Sequence, residues 1–109
     1  NLPTKQAFEM LMTGDFINAD KAVQFGLINA AVSADELDHC VNKLANAIVE
    51  KSPVAVAMGK QLFYQQLAMP IKEAYVLASY TMAKNMMAAD AQEGIDAFIQ
   101  KRQPVWQGK

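Results

Sequence analysis

The sequence has 109 residues, 52% of them hydrophobic, and this length and composition predict one folded domain with a packed core. Its 10 basic and 11 acidic residues give a net charge of −1, which argues against a nucleic-acid partner. The single cysteine, Cys40, excludes an internal disulfide, and no Cys and His cluster has metal-ligand spacing. No apolar run reaches the roughly 18 residues of a membrane span. We therefore expect a soluble, intracellular protein with no nucleic-acid, membrane or metal partner.

The first part of the chain predicts two helices and a strand. Residues 4–12 carry apolar side chains at helical spacing. Gly14 ends this helix, Asn18 can cap a short second helix, and Gly26 can end the second helix in a left-handed conformation. The apolar run 27–32 has the length of a strand. Because a lone strand must pair, we expect its sheet to lie outside this chain.

A capping box marks the start of the third predicted helix. The Ser33 hydroxyl can accept from the backbone N–H three positions on, and Glu36 can reach back. Apolar residues then recur at spacings of three and four and form a stripe on one face of a helix that ends near Glu50. The stripe consists of Leu37, Cys40, Val41, Leu44, Ala45 and Ile48.

Two further helices are separated by Met69 and Pro70. Ser52 can cap the fourth helix, with Pro53 at the first helical position, where its missing N–H is not needed. The residue before a proline is pushed out of the helical region, so the fourth helix ends at this break. The fifth helix spans residues 71 to about 87 and is apolar on more than one side. We therefore expect it to contact something beyond the domain, and oligomer packing is the preferred interpretation.

The last helix is predicted to begin at Asp90, with Asp90 as its cap and Glu93 completing a second capping box. Pro104 ends it, and Val105 and Trp106 are expected to pack as a tail. The chain is therefore predicted to be all-α, an orthogonal bundle of five or six helices with one short strand.

Several short motifs follow one another in a fixed order along the whole chain. They are Met12-Thr13-Gly14, Phe16-Ile17, Ala19 with Ala22, Gly26-Leu27-Ile28-Asn29 with Val32, Asp35-Glu36-Leu37, Lys51-Ser52-Pro53 with Lys60, Asp90, Glu93-Gly94-Ile95, Ala97-Phe98, and Lys101-Arg102 with Pro104. This order resembles the enoyl-CoA hydratase/isomerase family, which has the crotonase fold. The resemblance implies that residues 1–109 form the C-terminal helical domain of a longer crotonase-like chain, where they supply oligomer contacts and cover the acyl-CoA site.

The resemblance also implies a reaction. The expected enzyme acts on acyl-CoA thioesters, and hydration of a 2-enoyl-CoA to a 3-hydroxyacyl-CoA is the preferred reaction. The family's two catalytic glutamates and its oxyanion-hole N–H groups precede this segment, so we expect no catalytic residue here and no activity from this chain alone. Coenzyme A is part of the substrate, and no separate cofactor is implied. The expected assembly is a homotrimer or hexamer, in a bacterial cytoplasm or a mitochondrial matrix.

Other interpretations stay open. A crotonase-like protein without the two glutamates would be a non-catalytic acyl-CoA binding or assembly protein, and the upstream sequence would identify it. A free-standing helical adaptor would be a stable monomer, whereas the enzyme domain predicts exposed apolar faces and association. The isomerases, dehydratases, decarboxylases and thioester hydrolases of the family share this C-terminal half, so the reaction is not fixed by it.

Two residues are candidates for binding the coenzyme A of a neighbouring subunit. In the family, a lysine in the context of Lys101 reaches the adenine and phosphate end of coenzyme A. A phenylalanine often stands nineteen residues earlier, against the adenine, and this position holds Met82, whose polarizable sulfur can also pack on a ring. The alternative for Lys101 and Arg102 is that two cations near a helix C-terminus offset its negative end without any ligand.

The other reactive side chains have structural interpretations. Asp35, Glu36 and Asp38 are expected in the first turn of a helix, where its dipole stabilises a carboxylate. His39 and Cys40 are adjacent, and neighbouring residues on a helix point about 100° apart, so they do not form a nucleophile and base pair.

Overall fold

The computed structural model describes residues 2–109, so that Asn1, the first residue of the predicted domain, lies outside it. Over these residues the regular structure is entirely helical, with six α-helices and one 3-10 turn, and the all-α prediction is confirmed. The elements are α1 (Thr4–Thr13), α2 (Ala19–Gln24), the 3-10 turn (Ala34–Glu36), α3 (Leu37–Val49), α4 (Pro53–Gln66), α5 (Ile71–Met86) and α6 (Ala89–Gln100). The chain divides into two compact units, Asn1–Asn42 and Lys43–Lys109.

Local signals set the helix ends in the first unit as predicted. Gly14 takes a left-handed conformation, with φ 68°, at the end of α1. The Asn18 Oδ1 accepts from the Lys21 N–H at 2.9 Å and caps α2. Gly26, at φ 74°, follows α2 in the left-handed region, which a side chain would disfavour. Each of these interactions lies within a few residues, so the sequence alone was sufficient to find it.

The predicted strand at residues 27–32 is wrong. These residues form bends and irregular backbone, and no strand occurs anywhere in residues 2–109. The N–H groups of Leu27 and Ile28 both donate to the Ala22 carbonyl, at 2.9 and 3.4 Å, and so close the end of α2. Without a second strand among the described residues, a ladder has no partner for its backbone groups.

The predicted capping box at Ser33 is also wrong. Ser33 precedes a 3-10 turn, and its side chain makes no cap hydrogen bond; its carbonyl accepts from the Glu36 N–H at 3.1 Å. The tighter 3-10 geometry places different groups next to the cap than an α-helix does. Asp35, Glu36 and Asp38 do lie in first turns, as predicted, where negative charge is favoured.

In the second unit, α4 and α5 have the predicted boundaries. Ser52 Oγ accepts from the Ala55 N–H at 3.3 Å, with Pro53 at the first helical position. α4 ends at Gln66, and α5 begins directly after Pro70. α5 packs against both α4 and α6, so it is the central helix of this unit.

The chain buries very little apolar surface by itself. Within the described residues, only Ala22 and Ala97 are buried hydrophobic residues, so the predicted packed core is wrong for this chain alone. The large apolar side chains lie on the surface instead, including the stripe of α3 and several residues of α5. The predicted exposure of apolar faces is therefore confirmed. Apolar surface of this extent is typical of faces that contact other protein.

A buried carboxylate ties together three parts of the second unit. Asp90 is only 2% exposed. Its Oδ2 accepts from the Ser52 hydroxyl at 2.7 Å, and its Oδ1 accepts from the Gln107 N–H at 2.7 Å. The Gly108 N–H also donates to this carboxylate, at 3.1 and 3.2 Å. Asp90 thus joins the start of α4, the first turn of α6 and the C-terminal tail.

The prediction that Asp90 caps α6 is therefore wrong. Ala88 occupies the cap position and makes no side-chain cap bond, while Asp90 lies inside the first turn. Burial raises the pKa of Asp90, but the hydrogen bonds from Gln107, Ser52 and Gly108 outweigh burial, and the pKa lies below its usual value. The Asp90 carboxylate accepts its hydrogen bonds from donors that are distant in sequence. A local capping pattern does not reveal such donors.

The tail also packs through its tryptophan. The Trp106 Nε1 donates to the Glu50 carbonyl at 2.8 Å, and its ring lies over Gly94, where an added Cβ would be 3.3 Å from a ring carbon. The prediction of a packed tail is confirmed for Trp106. It is wrong for Val105, whose side chain is 70% exposed. α6 already ends at Gln100, before Pro104.

Replacing Ser52 tests whether this contact stabilises the fold. We expect Ser52→Ala to lower the free energy of unfolding by about 1 kcal/mol, because α4 loses its N-cap and Asp90 loses a donor. Ser79→Ala, an exposed change inside α5, is the matched control and should stay within about 0.5 kcal/mol of the unmodified protein. Urea unfolding of the three proteins measures the difference, and equal midpoints would contradict the expected role.

Candidate functional site

The turn that follows α6 holds Lys101, the first of the two predicted binding residues. Lys101 has φ 54° and ψ 39°, the left-handed conformation. Its N–H donates to the Phe98 carbonyl at 3.2 Å, and the Arg102 N–H donates to the Ala97 carbonyl at 3.0 Å. This pair of bonds is the Schellman motif, in which glycine usually holds the left-handed position. Lys101 is the one non-glycine residue with positive φ in the described part of the chain.

A lysine in this position is unfavourable for folding. The left-handed conformation costs a residue with a Cβ roughly 1–2 kcal/mol. Backbone strain of this kind is concentrated at functional positions, so the observed conformation supports a functional hypothesis for the Lys101 side chain.

The next residue, Arg102, forms an ion pair within the chain. The Arg102 guanidinium forms a two-point ion pair with Glu93, at 2.6 Å from Nη1 to Oε1 and 2.9 Å from Nη2 to Oε2. The Arg102 Nε also donates to the Gln100 Oε1 at 2.8 Å. Glu93 further accepts from the Val105 N–H at 2.7 Å. We call this group, Glu93 with Arg102 and the Val105 N–H, the carboxylate clamp.

The prediction that Glu93 completes a capping box is wrong. Its hydrogen bonds from Arg102 and from the Val105 N–H outweigh burial and lower its pKa from 4.5 to about 2. The same ion pair raises the pKa of Arg102. Glu93 and Arg102 are nine residues apart, which is not a helical pairing distance. They meet because the chain reverses at Lys101, and sequence periodicity gave no signal of it.

Lys101 and Arg102 are adjacent in the sequence, but their side chains have different surroundings in the structure. Arg102 is held against Glu93, whereas Lys101 is exposed and forms no ion pair within residues 2–109. An ammonium group in this state is available to an anionic ligand such as a phosphate.

Met82, the second predicted binding residue, lies in the second half of α5 and is 61% exposed. It belongs to the same unit as Lys101, and α5 packs against α6. Both side chains are accessible on the surface. Their contact with coenzyme A stays a prediction.

Apolar hollows lie along α5. One, of about 450 Å³, lies between α4 and α5 and is lined mainly by Gly59, Leu62, Phe63, Ile71, Ala74 and Tyr75. Another, of about 660 Å³, includes Val76, Leu77 and Tyr80, with Lys72 and Glu73 at its side. These linings suit contact with apolar protein or acyl groups more than acid and base chemistry.

The first unit has a more polar hollow of about 320 Å³, whose lining includes Glu9, Asp15 and Lys21. Sequence reasoning did not select these residues. Thr13 organises this corner, because its hydroxyl donates to the Glu9 carbonyl at 2.9 Å and accepts from the Asp15 N–H at 3.2 Å.

The remaining kinds of site are a metal centre, a membrane-spanning helix and the pair of His39 and Cys40. In the part of the chain that the structure describes, no three His, Cys, Asp or Glu side chains come together as metal ligands. Over the same residues, no helix combines the length and apolar character needed to cross a bilayer. His39 is exposed and Cys40 half-buried on consecutive positions of α3.

Comparison with known families matches the whole chain, residues 1–109, to the family described as enoyl-CoA hydratase/isomerase. Among curated relatives, the mitochondrial enoyl-CoA hydratase domain-containing protein 3 of Rattus norvegicus is 46% identical over 96% of this chain and 35% of its own length. Carnitinyl-CoA dehydratase from Salmonella heidelberg is 36% identical over 99% of this chain and 43% of its own length. The chain thus spans between a third and a half of the curated relatives it matches.

Solved structures show the same similarity. An enoyl-CoA hydratase from Mycobacterium smegmatis superposes with a TM-score of 0.94 at 48% identity, over 97% of this chain and 41% of that one. The human enoyl-CoA hydratase domain-containing protein 3 superposes with a TM-score of 0.92 at 43% identity, over 96% of this chain and 42% of that one. The helical arrangement is therefore that of the C-terminal domain of the crotonase fold.

The clamp predicts how stability depends on pH. The pKa of Glu93 is about 2 in the folded chain, against an ordinary value of 4.5. Its contribution to the free energy of unfolding is therefore complete above about pH 4.5 and is lost as the pH falls towards 2. We expect Glu93→Gln to be less stable than the unmodified protein at pH 7, and the difference to shrink over that window. Urea unfolding from pH 7 to pH 2 measures it, with Glu36→Gln as the control for losing one charge. A difference that stays constant over this range would contradict the assignment.

The left-handed lysine predicts a stabilising substitution. Lys101→Gly should raise the free energy of unfolding by about 0.5–1 kcal/mol, because relief of the left-handed conformation exceeds the entropy that glycine loses. Lys101→Ala removes the same side chain but keeps the strain, so it is the matched control and should not be stabilised. Thermal and urea unfolding compare the two variants. If glycine is no more stable than alanine, the strain is not present in solution.

Proposed function

Because the chain belongs to the enoyl-CoA hydratase/isomerase family, we propose that it is the C-terminal part of a longer enzyme acting on acyl-CoA thioesters. The proposed reaction is hydration of a 2-enoyl-CoA to a 3-hydroxyacyl-CoA. Its similarity to proteins named as an enoyl-CoA hydratase and a carnitinyl-CoA dehydratase supports this chemistry. The family match along the whole chain is the observation that carries the proposal.

The uncovered apolar faces support the role within that enzyme. α3 and α5 carry large apolar side chains that are half or more exposed, such as Val41, Leu44, Tyr75 and Tyr80. At about 25 cal/mol per Å² of apolar surface, covering such faces is a substantial driving force for association. We propose that they cover the acyl-CoA site and contact sister chains in a homotrimer, or in a hexamer made of two trimers.

In the proposed enzyme, the preceding segment catalyses the reaction and residues of this chain bind coenzyme A. Two glutamates of the preceding segment move a proton and a water molecule, and two backbone N–H groups of that segment stabilise the thioester enolate. In this chain, Asp90 and Glu93 already hold the C-terminal tail and are not available as an acid and base pair. Lys101 contributes its ammonium group to the phosphate and adenine end of coenzyme A in a neighbouring subunit, and Met82 packs against the adenine. Coenzyme A enters as part of the substrate, and the proposal requires no other cofactor.

Relatives support two compartments for this enzyme. The vertebrate relatives are mitochondrial by name, and other relatives come from bacteria. We propose a mitochondrial matrix or a bacterial cytoplasm accordingly.

Comparing the full-length protein with this chain alone tests the proposal. We expect the full-length protein to hydrate crotonyl-CoA, measured as loss of the enoyl-thioester absorbance, and the excised chain to show no turnover. Analytical ultracentrifugation should show trimers or hexamers of the full-length protein and self-association of the excised chain.

Each contrary result has a distinct meaning. Turnover by the excised chain would overturn the proposed division of labour. Binding of crotonyl-CoA by the full-length protein without turnover would replace the enzyme by a non-catalytic acyl-CoA binding protein. A stable monomer in both forms would overturn the oligomer contacts.

A further inference from the structure

The side chains on both sides of Lys101 are fixed to one another. Arg102 is bound to Glu93 through two hydrogen bonds and to the Gln100 side chain through a third. The Val105 N–H donates to the same Glu93 carboxylate, so the chain after the turn is anchored twice to α6. Lys101 lies between the end of α6 and the first of these anchors, Arg102, and its own side chain is exposed.

The anchors bear directly on the conformation of Lys101. A left-handed residue with a Cβ prefers other backbone conformations, so an unrestrained turn would leave this geometry for part of the time. Holding Arg102 and Val105 against Glu93 fixes the backbone immediately after Lys101. The direction in which the lysine side chain leaves the surface then depends on a carboxylate eight residues before it.

We propose that Glu93 is a positioning residue for ligand binding, which holds Lys101 in its left-handed conformation through Arg102 and so directs the ammonium group towards the phosphates of coenzyme A. The inference rests on the proposed function, because it assumes that Lys101 meets coenzyme A. Glu93 itself does not touch the ligand. Its contribution is preorganisation, since a lysine already held in the bound orientation loses less freedom when the ligand arrives.

The experiment measures binding in the full-length, assembled protein by isothermal titration calorimetry. Butyryl-CoA is the probe, because its saturated acyl group cannot be hydrated, and butyryl-pantetheine is the matched probe without adenine and its phosphates. The variants are Glu93→Gln, Arg102→Gln, Lys101→Met, the double variant Glu93→Gln with Lys101→Met, and Glu36→Gln as the control for charge.

We expect Glu93→Gln and Arg102→Gln each to raise the Kd of butyryl-CoA about three- to tenfold, and to leave the Kd of butyryl-pantetheine unchanged. In the Lys101→Met background, Glu93→Gln should have no further effect, because the group it positions is absent. Glu36→Gln should match the unmodified protein. Arg102→Gln breaks the clamp from its other side, so it tests the same contact if Glu93→Gln does not fold.

The outcomes separate this inference from the proposed function. If Lys101→Met weakens butyryl-CoA binding but neither clamp variant does, the positioning role is overturned and the role of Lys101 stands. If Glu93→Gln weakens binding equally with and without Lys101, or weakens butyryl-pantetheine equally, Glu93 is only structural and the inference is overturned. If Lys101→Met has no effect, the proposed coenzyme A contact fails, and the inference fails with it.

Discussion

The second unit depends on one buried carboxylate. Asp90 accepts hydrogen bonds from Ser52, at the start of α4, and from Gln107 and Gly108 in the C-terminal tail. Because Ala97 is the one buried apolar residue described in this unit, its tertiary order is not explained by a hydrophobic core. A charged group buried this deeply is tolerated because its hydrogen-bonding capacity is filled by donors from three segments. These hydrogen bonds join three segments of a unit that has little buried apolar surface.

The shortage of buried apolar surface is itself informative. A sequence with 52% hydrophobic residues has enough apolar side chains for a core, yet most of the large ones lie outside. Exposed apolar surface of this extent is typical of faces that contact other protein. This pattern agrees with a domain that spans between a third and a half of its curated relatives, and it is the physical basis for proposing contacts with sister chains.

Helix α6 organises the candidate site through two carboxylates. Asp90, in its first turn, holds the end of the tail, while Glu93 holds Arg102 and the Val105 N–H. Between Glu93 and Arg102 the chain turns at Lys101, whose conformation is unfavourable and whose side chain forms no ion pair among the described residues. A strained residue held on both sides by satisfied polar contacts is what a preorganised binding group requires. The same helix thus accounts for the roles of Asp90 and Glu93, two acidic residues of the motifs that also contain Lys101.

The sequence by itself determined the helices and most of their ends, together with the family. Asn18, Gly26, Ser52 and the break before Pro70 act on the backbone within about four residues, and such interactions are the same in almost any context. Lys101 and Met82 were selected from the resemblance, and the structure adds their exposure.

Only the tertiary structure decided the rest. It left residues 27–32 without a strand, because pairing requires a second strand. The two acidic residues expected to cap α6 bind groups outside the helix instead. Asp90 meets Ser52 across 38 residues and Glu93 meets Arg102 across nine, separations at which a local pattern carries no information about which groups meet. The left-handed Lys101 accompanies the Glu93–Arg102 contact, because the chain reverses at this residue, in a position that usually takes glycine.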